Sequence, residues 1–151
     1  MPNPANQLEI ANALKPILAE TVQLYMLTQN VHWNIVGPLF QSIHTLTEVQ
    51  YTELALSVDL IAERIRMLGS KAPGSMSAYQ KLGAIKDGDE NAAPAVMIKA
   101  LMDANTLIAG HIRPAIGKAT DAGDDVTIGL LTDRLAAHEK ANWMLGATIA
   151  T

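Results

Sequence analysis

The sequence predicts an all-α protein, a four-helix bundle with one long connection. Three observations carry that reading. Apolar residues recur at three- and four-residue spacing along most of the 151 residues. Glycine and proline divide the chain into four long segments at only a few places. One connection alone is long, "GSKAPGSMSAYQKLGAIKDGDENAAP". The length suits a single domain over residues 1–151 with a sizeable core.

The first helix spans residues 5 to 34, with Leu8, Ala11, Leu14, Leu18, Val22 and Tyr25 at helical spacing. Gly37 and Pro38 interrupt it. Proline is tolerated in the first turn of a helix, so Pro38 is expected to open the second helix. That helix runs to Leu68 and stops at Gly69. The long connection carries at most a short helical turn at 77 to 82. A third helix covers 93 to 120, where Pro114 predicts a kink or a boundary. "DAGDD" makes a turn, and the fourth helix spans 125 to 149.

Composition narrows the function. Apolar residues make up 49% and charged ones 17%, as in an ordinary globular protein. Eleven Lys and Arg against fifteen Asp and Glu leave a net charge of -4. That argues against a general nucleic-acid or anionic-membrane surface. There is no cysteine, so any metal site must use nitrogen and oxygen ligands. Absence of cysteine fits a cytoplasmic location, with nucleoid association as an option. "MPNPANQLEI" has no signal-peptide pattern. No apolar run approaches the roughly 20 residues that span a bilayer.

The second helix has two apolar stripes. Leu54, Val58, Ile61, Ile65 and Leu68 form a core-facing stripe. Val49, Leu56, Leu60 and Met67 form another on nearly the opposite side. Such a helix is either buried deep in its own bundle or packed against a second subunit.

The same helix carries metal-ligand chemistry. Asp59 and Glu63 are one turn apart and project about 6 Å from each other. His44 and Glu48 repeat that spacing. Carboxylates with imidazoles suit iron, manganese or zinc. The plainer alternative is a solvated acidic face paired with Arg64 or Arg66. His44 and Asp59 lie about 22 Å apart along the helix, too far to share a metal within one chain. They nevertheless face a similar side, offset by about 60°. Two copies crossing antiparallel near Thr52 would bring His44 of one close to Asp59 and Glu63 of the other. The bundle itself lacks the Glu-x-x-His pattern of a di-iron core, and "HEKAN" breaks a His-Glu-x-x-His motif.

The stretch "HWNIVGPLFQSIHTLTEVQYTELALSVDLIAERIRMLGSKAPGS", residues 32 to 75, resembles the signature of the Dps family of mini-ferritins. The His-Trp-Asn opening, Gly37, Phe40, His44, Tyr51, Asp59 and the Ala-Glu-Arg run at 62 to 64 carry the match. "LLTDRLAAHEKANWMLGA" resembles that family's last helix. The resemblance implies a ferritin-like bundle with a short helix between the second and third, assembled as a homo-oligomeric dodecameric shell. It implies a ferroxidase site holding two irons between subunits. His32 and His44 would come from one subunit, and Asp59 and Glu63 from its two-fold partner. Glu48 would be an auxiliary carboxylate, and Trp33 would sit beside the iron. Fe(II) would be oxidised by hydrogen peroxide or dioxygen, limiting oxidative stress, and stored as ferric mineral. Asp121, Asp124, Asp125 and Asp133 would line an iron-entry pore. The plainer role for these acids is to stabilise the positive end of the last helix.

The family's other activity, binding and protecting nucleoid DNA, is the alternative function. Here the chain departs from the pattern. Its first basic residue is Lys15, inside the first helix, and none follows Lys140. Without mobile cations little counterion release is available. Duplex DNA should therefore run unshifted in a gel at neutral pH and moderate salt. A clear retardation would overturn that expectation.

Overall fold

A computed structural model describes all 151 residues, and every regular element in it is helical. The helices are α1 (Pro4–Asn34), α2 (Phe40–Met67), α3 (Met76–Leu82), α4 (Pro94–Asp121) and α5 (Asp125–Ile149). The short turn expected at 77 to 82 is α3. Pro38 does not open α2 but lies in the preceding turn, where the Phe40 amide donates to the Gly37 carbonyl. Gly37 has φ +97°, a left-handed conformation that lets the chain reverse in five residues.

Two prolines lie inside helices without ending them. Pro16 and Pro114 each remove one backbone bond, to Asn12 and Gly110. Both of those residues are exposed, so water can satisfy the freed carbonyls. Pro114 therefore marks no boundary, and α4 runs through it.

Cross-helix contacts give the topology. His32 meets His44, Glu20 meets His111, and Glu53 meets Arg134. Lys118 meets Glu9, and Arg64 meets Asp124. In these pairs residue numbers rise on one helix as they fall on the other. So α1 is antiparallel to α2 and α4, and α2 is antiparallel to α5. Consequently α2 and α4 are parallel, and the connection between them must travel the bundle's length. It lies against α1. Gln23 donates to the Tyr79 carbonyl and accepts from the Ile85 amide. At Gly83 a Cβ would fall 2.1 Å from Gln23 Oε1, so a larger residue there would displace the Gln23 amide from its bonds to the connection.

The core follows the predicted periodicity. Leu14, Leu18, Ile61, Ile65, Leu101, Ile108 and Leu131 are sealed from solvent. Each such side chain contributes about 1.5–3 kcal/mol. Leu8 continues the spacing but is exposed. The second stripe on α2 is exposed as well: Val49, Leu56, Leu60 and Met67 are each more than half exposed. That rules out a helix wrapped entirely by its own bundle.

Polar groups are also buried: Thr21, Thr28 and Ser57 bond back to their own helices, and the charged groups pair across helices. Arg64 Nη2 donates to Asp124 at 2.7 Å, and its Nε donates to Thr127 Oγ1 at 2.9 Å. Glu20 accepts from the His111 ring at 2.7 Å and from the Ala84 amide at 3.2 Å. His138 bonds Asn105 Oδ1 at 2.9 Å, and Arg134 pairs with Glu53. Burial, helped by the charge of Arg134, pulls the His138 pKa down from 6.5 to about 3. Its neutral ring is the form the fold accepts. The unfolded chain binds a proton at this ring below pH 6.5, whereas the folded chain refuses it until about pH 3. His138 thus contributes stability that is complete above pH 6.5 and is lost as pH falls through this window. The loss is about 1.4 kcal/mol per pH unit at most. His138→Gln should flatten the fall in thermal midpoint between pH 6.5 and 4. An unchanged slope would show that the ring is not held neutral.

Candidate metal centre

His32 lies in the last turn of α1 and His44 in the second turn of α2. The five-residue reversal between the helices brings their rings together. The rings stack with centroids 3.8 Å apart and planes 13° from parallel. Each ring also bonds the other residue's backbone. His32 Nδ1 donates to the His44 carbonyl, and His44 Nδ1 donates to the His32 carbonyl, both at 2.8 Å. The second bond has a clear cause, since the last four carbonyls of a helix lack intrahelical partners. His32 is in that position, and His44 satisfies its carbonyl. Thr47 Oγ1, itself donating to the Ile43 carbonyl, lies 3.2 Å from His32 Nδ1.

These bonds fix the tautomer. A carbonyl only accepts, so both Nδ1 atoms must carry hydrogen. Both Nε2 atoms then keep their lone pairs, and none of their bonding capacity is used within the chain. Aromatic rings hold the pair from both sides. Phe40 stacks on His44 at 5.0 Å, and Tyr51 meets His32 edge-on at 5.1 Å. Trp33, beside His32, is 60% exposed and plays no part in the subunit's core.

Glu48 follows His44 by one turn and is exposed. Asp59 and Glu63 are exposed further along the same helix. Neither has an ion-pair partner, because both candidate arginines are engaged elsewhere. Arg64 is buried against Asp124, and Arg66 donates to the Ser70 carbonyl at 2.8 Å. The acidic pair is therefore not the salt-bridged face that remained an alternative. No three metal-binding side chains meet within one subunit. The structure joins His32 to His44 and leaves Asp59 and Glu63 apart from them. Asp59 and Glu63 lie beside the exposed apolar stripe of Val49, Leu56, Leu60 and Met67, whereas His32 is buried and His44 half-buried.

The acids around the last turn divide differently from the sequence reading. Asp121, Asp125 and Asp133 are exposed. Asp124 is 3% exposed and caps α5, accepting from the Thr127 amide at 3.1 Å and from its hydroxyl at 2.6 Å. Burial works to raise its pKa, but the bonds from Arg64 and Thr127 and the charge of Arg64 outweigh it and leave the pKa lowered. Asp124 is therefore not a pore carboxylate. It is the cap that ties α5 to α2. Its place just before a predicted helix start, three residues ahead of Thr127, was the available signal. Nothing in the sequence signalled the partners of His111 and His138.

A family model described as a ferritin-like domain matches residues 11–151. Antigen TpF1 of Treponema pallidum is 35% identical over 141 residues, covering 93% of this chain and 80% of that protein. The DNA protection during starvation protein of Porphyromonas gingivalis is 34% identical, covering 91% and 87%. Among solved structures, a Dps protein from Vibrio cholerae O1 superposes with a TM-score of 0.92 at 33% identity, covering 97% of this chain and 92% of that one. That protein is described as a member of a broad superfamily of ferritin-like diiron-carboxylate proteins.

The reciprocal bonds have a direct spectroscopic consequence. In metal-free protein at pH 8, nitrogen-15 NMR should find His32 and His44 protonated at Nδ1 and bare at Nε2. The opposite tautomer at either ring would mean that its bond to the facing carbonyl is absent.

Proposed function

The chain belongs to the ferritin-like Dps family, and on that premise we propose that it stores iron and oxidises Fe(II) at sites shared between subunits. One observation carries the proposal. Two stacked imidazoles with unbonded Nε2 atoms lie near the start of α2, and two unpaired carboxylates lie exposed further along it. Each pair is half of a ligand set. A two-fold related copy, crossing antiparallel over the exposed apolar stripe, joins the halves and makes two equivalent sites. Glu48 adds a carboxylate next to the imidazoles, and Trp33 packs at the junction.

The donor set suits the substrate. Imidazole nitrogen binds Fe(II), and carboxylate oxygen increasingly favours the harder Fe(III). Within each subunit, the two carbonyls hold the protons at Nδ1 and so keep both Nε2 atoms available. The aromatic rings fix the imidazoles before iron arrives, which limits reorganisation on binding. Two Fe(II) ions per site supply two electrons to one hydrogen peroxide. With two protons, the products are two Fe(III) and two waters, and no hydroxyl radical is released. Dioxygen is the alternative oxidant. Asp121, Asp125 and Asp133 are proposed to attract cations towards an entry pore. The ferric product collects inside a closed shell, for which a dodecamer is the proposed form.

DNA binding is the second reading, prompted by the names of relatives. The net charge of -4 and the free carboxylates disfavour it.

Replacing His32 and His44 together by Gly should slow peroxide-driven iron oxidation at least tenfold and leave particle size unchanged. The assay is anaerobic Fe(II) loading followed by peroxide, read by ferric absorbance and light scattering. Unchanged oxidation in an intact particle would remove the imidazoles from the site.

A further inference from the structure

The imidazole pair belongs to a longer row of rings. Phe40 stacks on His44, His44 stacks on His32, and Tyr51 meets His32 edge-on with centroids 5.1 Å apart. The row continues one step beyond. Tyr25 meets Tyr51 edge-on, with centroids 6.1 Å apart and planes at 84°. Tyr25 precedes His32 by two turns on α1, and Tyr51 follows His44 by two turns on α2. The antiparallel packing of these helices therefore holds all five rings in sequence.

The rings differ in chemistry. A phenol gives up an electron far more readily than a benzene ring or a neutral imidazole. The chain has three tyrosines, and two of them are in the row. Their hydrogen bonds also differ. An oxidised tyrosine loses its proton as well as an electron, and the phenoxyl oxygen that remains can only accept. Tyr25 Oη already accepts from Gln29 Nε2 at 2.9 Å, so oxidation leaves that bond in place. Tyr79, outside the row, donates to the Pro73 carbonyl at 2.8 Å and would lose its bond. Trp33 adjoins His32 in sequence, but consecutive helical side chains diverge by about 100°, and its ring is 60% exposed.

A donor at this place answers a chemical problem. Fe(II) ions arrive singly, so a two-iron site passes through a state that holds one. A lone Fe(II) gives peroxide one electron, and one-electron reduction releases hydroxyl radical. A second electron from a neighbouring ring completes the reduction to water.

We propose that Tyr51 supplies this second electron through His32, and that Tyr25 shares the resulting radical. The proposal rests on the iron-oxidation reading and extends it to the half-loaded site. One Fe(II), one hydrogen peroxide, one tyrosine and one proton give one Fe(III), one tyrosyl radical and two waters. Iron and phenol are each oxidised by one electron, and the O–O bond breaks. The phenol's proton and the added proton both end in water.

The test loads assembled full-length protein anaerobically with less than one Fe(II) per site, adds peroxide and freezes the mixture. Electron paramagnetic resonance reads the radical, a spin trap reads released hydroxyl radical, and ferric absorbance reads the iron. The protein should give a tyrosyl spectrum that narrows with ring-deuterated tyrosine. Tyr51→Phe keeps a ring against His32, yet should remove most of that signal and raise trapped hydroxyl radical severalfold. Tyr25→Phe should shorten the radical's lifetime, and Tyr79→Phe should alter neither reading. In the metal-free variants, nitrogen-15 NMR with both Nδ1 atoms still protonated establishes that the half-site is intact. The relay is overturned, and iron oxidation stands, if iron is oxidised with no tyrosyl signal or with a tryptophanyl signal in its place. The same holds if Tyr51→Phe matches the unaltered protein in both readings. Iron oxidation no faster than in buffer would sink both the relay and the reading beneath it.

Discussion

The straightness of one helix governs the metal chemistry. An α-helix advances 1.5 Å per residue, so the fifteen residues from His44 to Asp59 hold imidazole and carboxylate about 22 Å apart. No side-chain rotation closes that gap. The same regular winding keeps both groups on one side, beside an apolar stripe left exposed by the bundle. A subunit of this shape has two half-sites and an uncovered surface between them. In the proposed two-fold assembly, self-association would bury apolar area and complete the ligand sets in one step. That assembly would couple self-association and metal binding through the surface of α2.

The imidazole half-site owes its order to a local exchange. A helix end has spare carbonyls, and a histidine ring has a spare N–H. Placing two histidines across a tight helical reversal lets each ring satisfy the other's backbone. Stability and preparation for metal are served by the same bonds, because a proton held at Nδ1 is a lone pair left at Nε2. Thr47, Phe40 and Tyr51 surround the rings and keep them from turning.

Elsewhere the bundle handles buried polarity by pairing it between helices. Arg64 with Asp124 and Thr127 joins α2 to α5, and Glu20 with His111 and Ala84 joins α1, α4 and the long connection. Such pairs are poor sources of net stability compared with apolar packing, but breaking one by removing a partner leaves a buried charge uncompensated. Around Arg134 the pairing is incomplete. There the helices α2 and α5 diverge enough to leave a groove, and the guanidinium keeps one donor free.

Much of the molecule was legible from the sequence because it depends on local rules. Helical periodicity located the four long helices to within a few residues, and the Gly37–Pro38 and Gly69 signals located the breaks. The spacing of His44, Asp59 and Glu63 on one helix already excluded a site within the chain. The opposed stripes on α2 narrowed its surroundings to two alternatives. Tertiary structure decided what depends on residues distant in sequence. It exposed the second stripe, and it gave Arg64 to Asp124 rather than to the neighbouring acids. It turned Asp124 from a pore carboxylate into a buried cap, and it stacked His32 on His44. It also found partners for His111 and His138, which periodicity left without a role. The physical reason is common to all of these. Backbone winding fixes which side of a helix a residue occupies, whereas the partner waiting on that side is set only when the other helices pack.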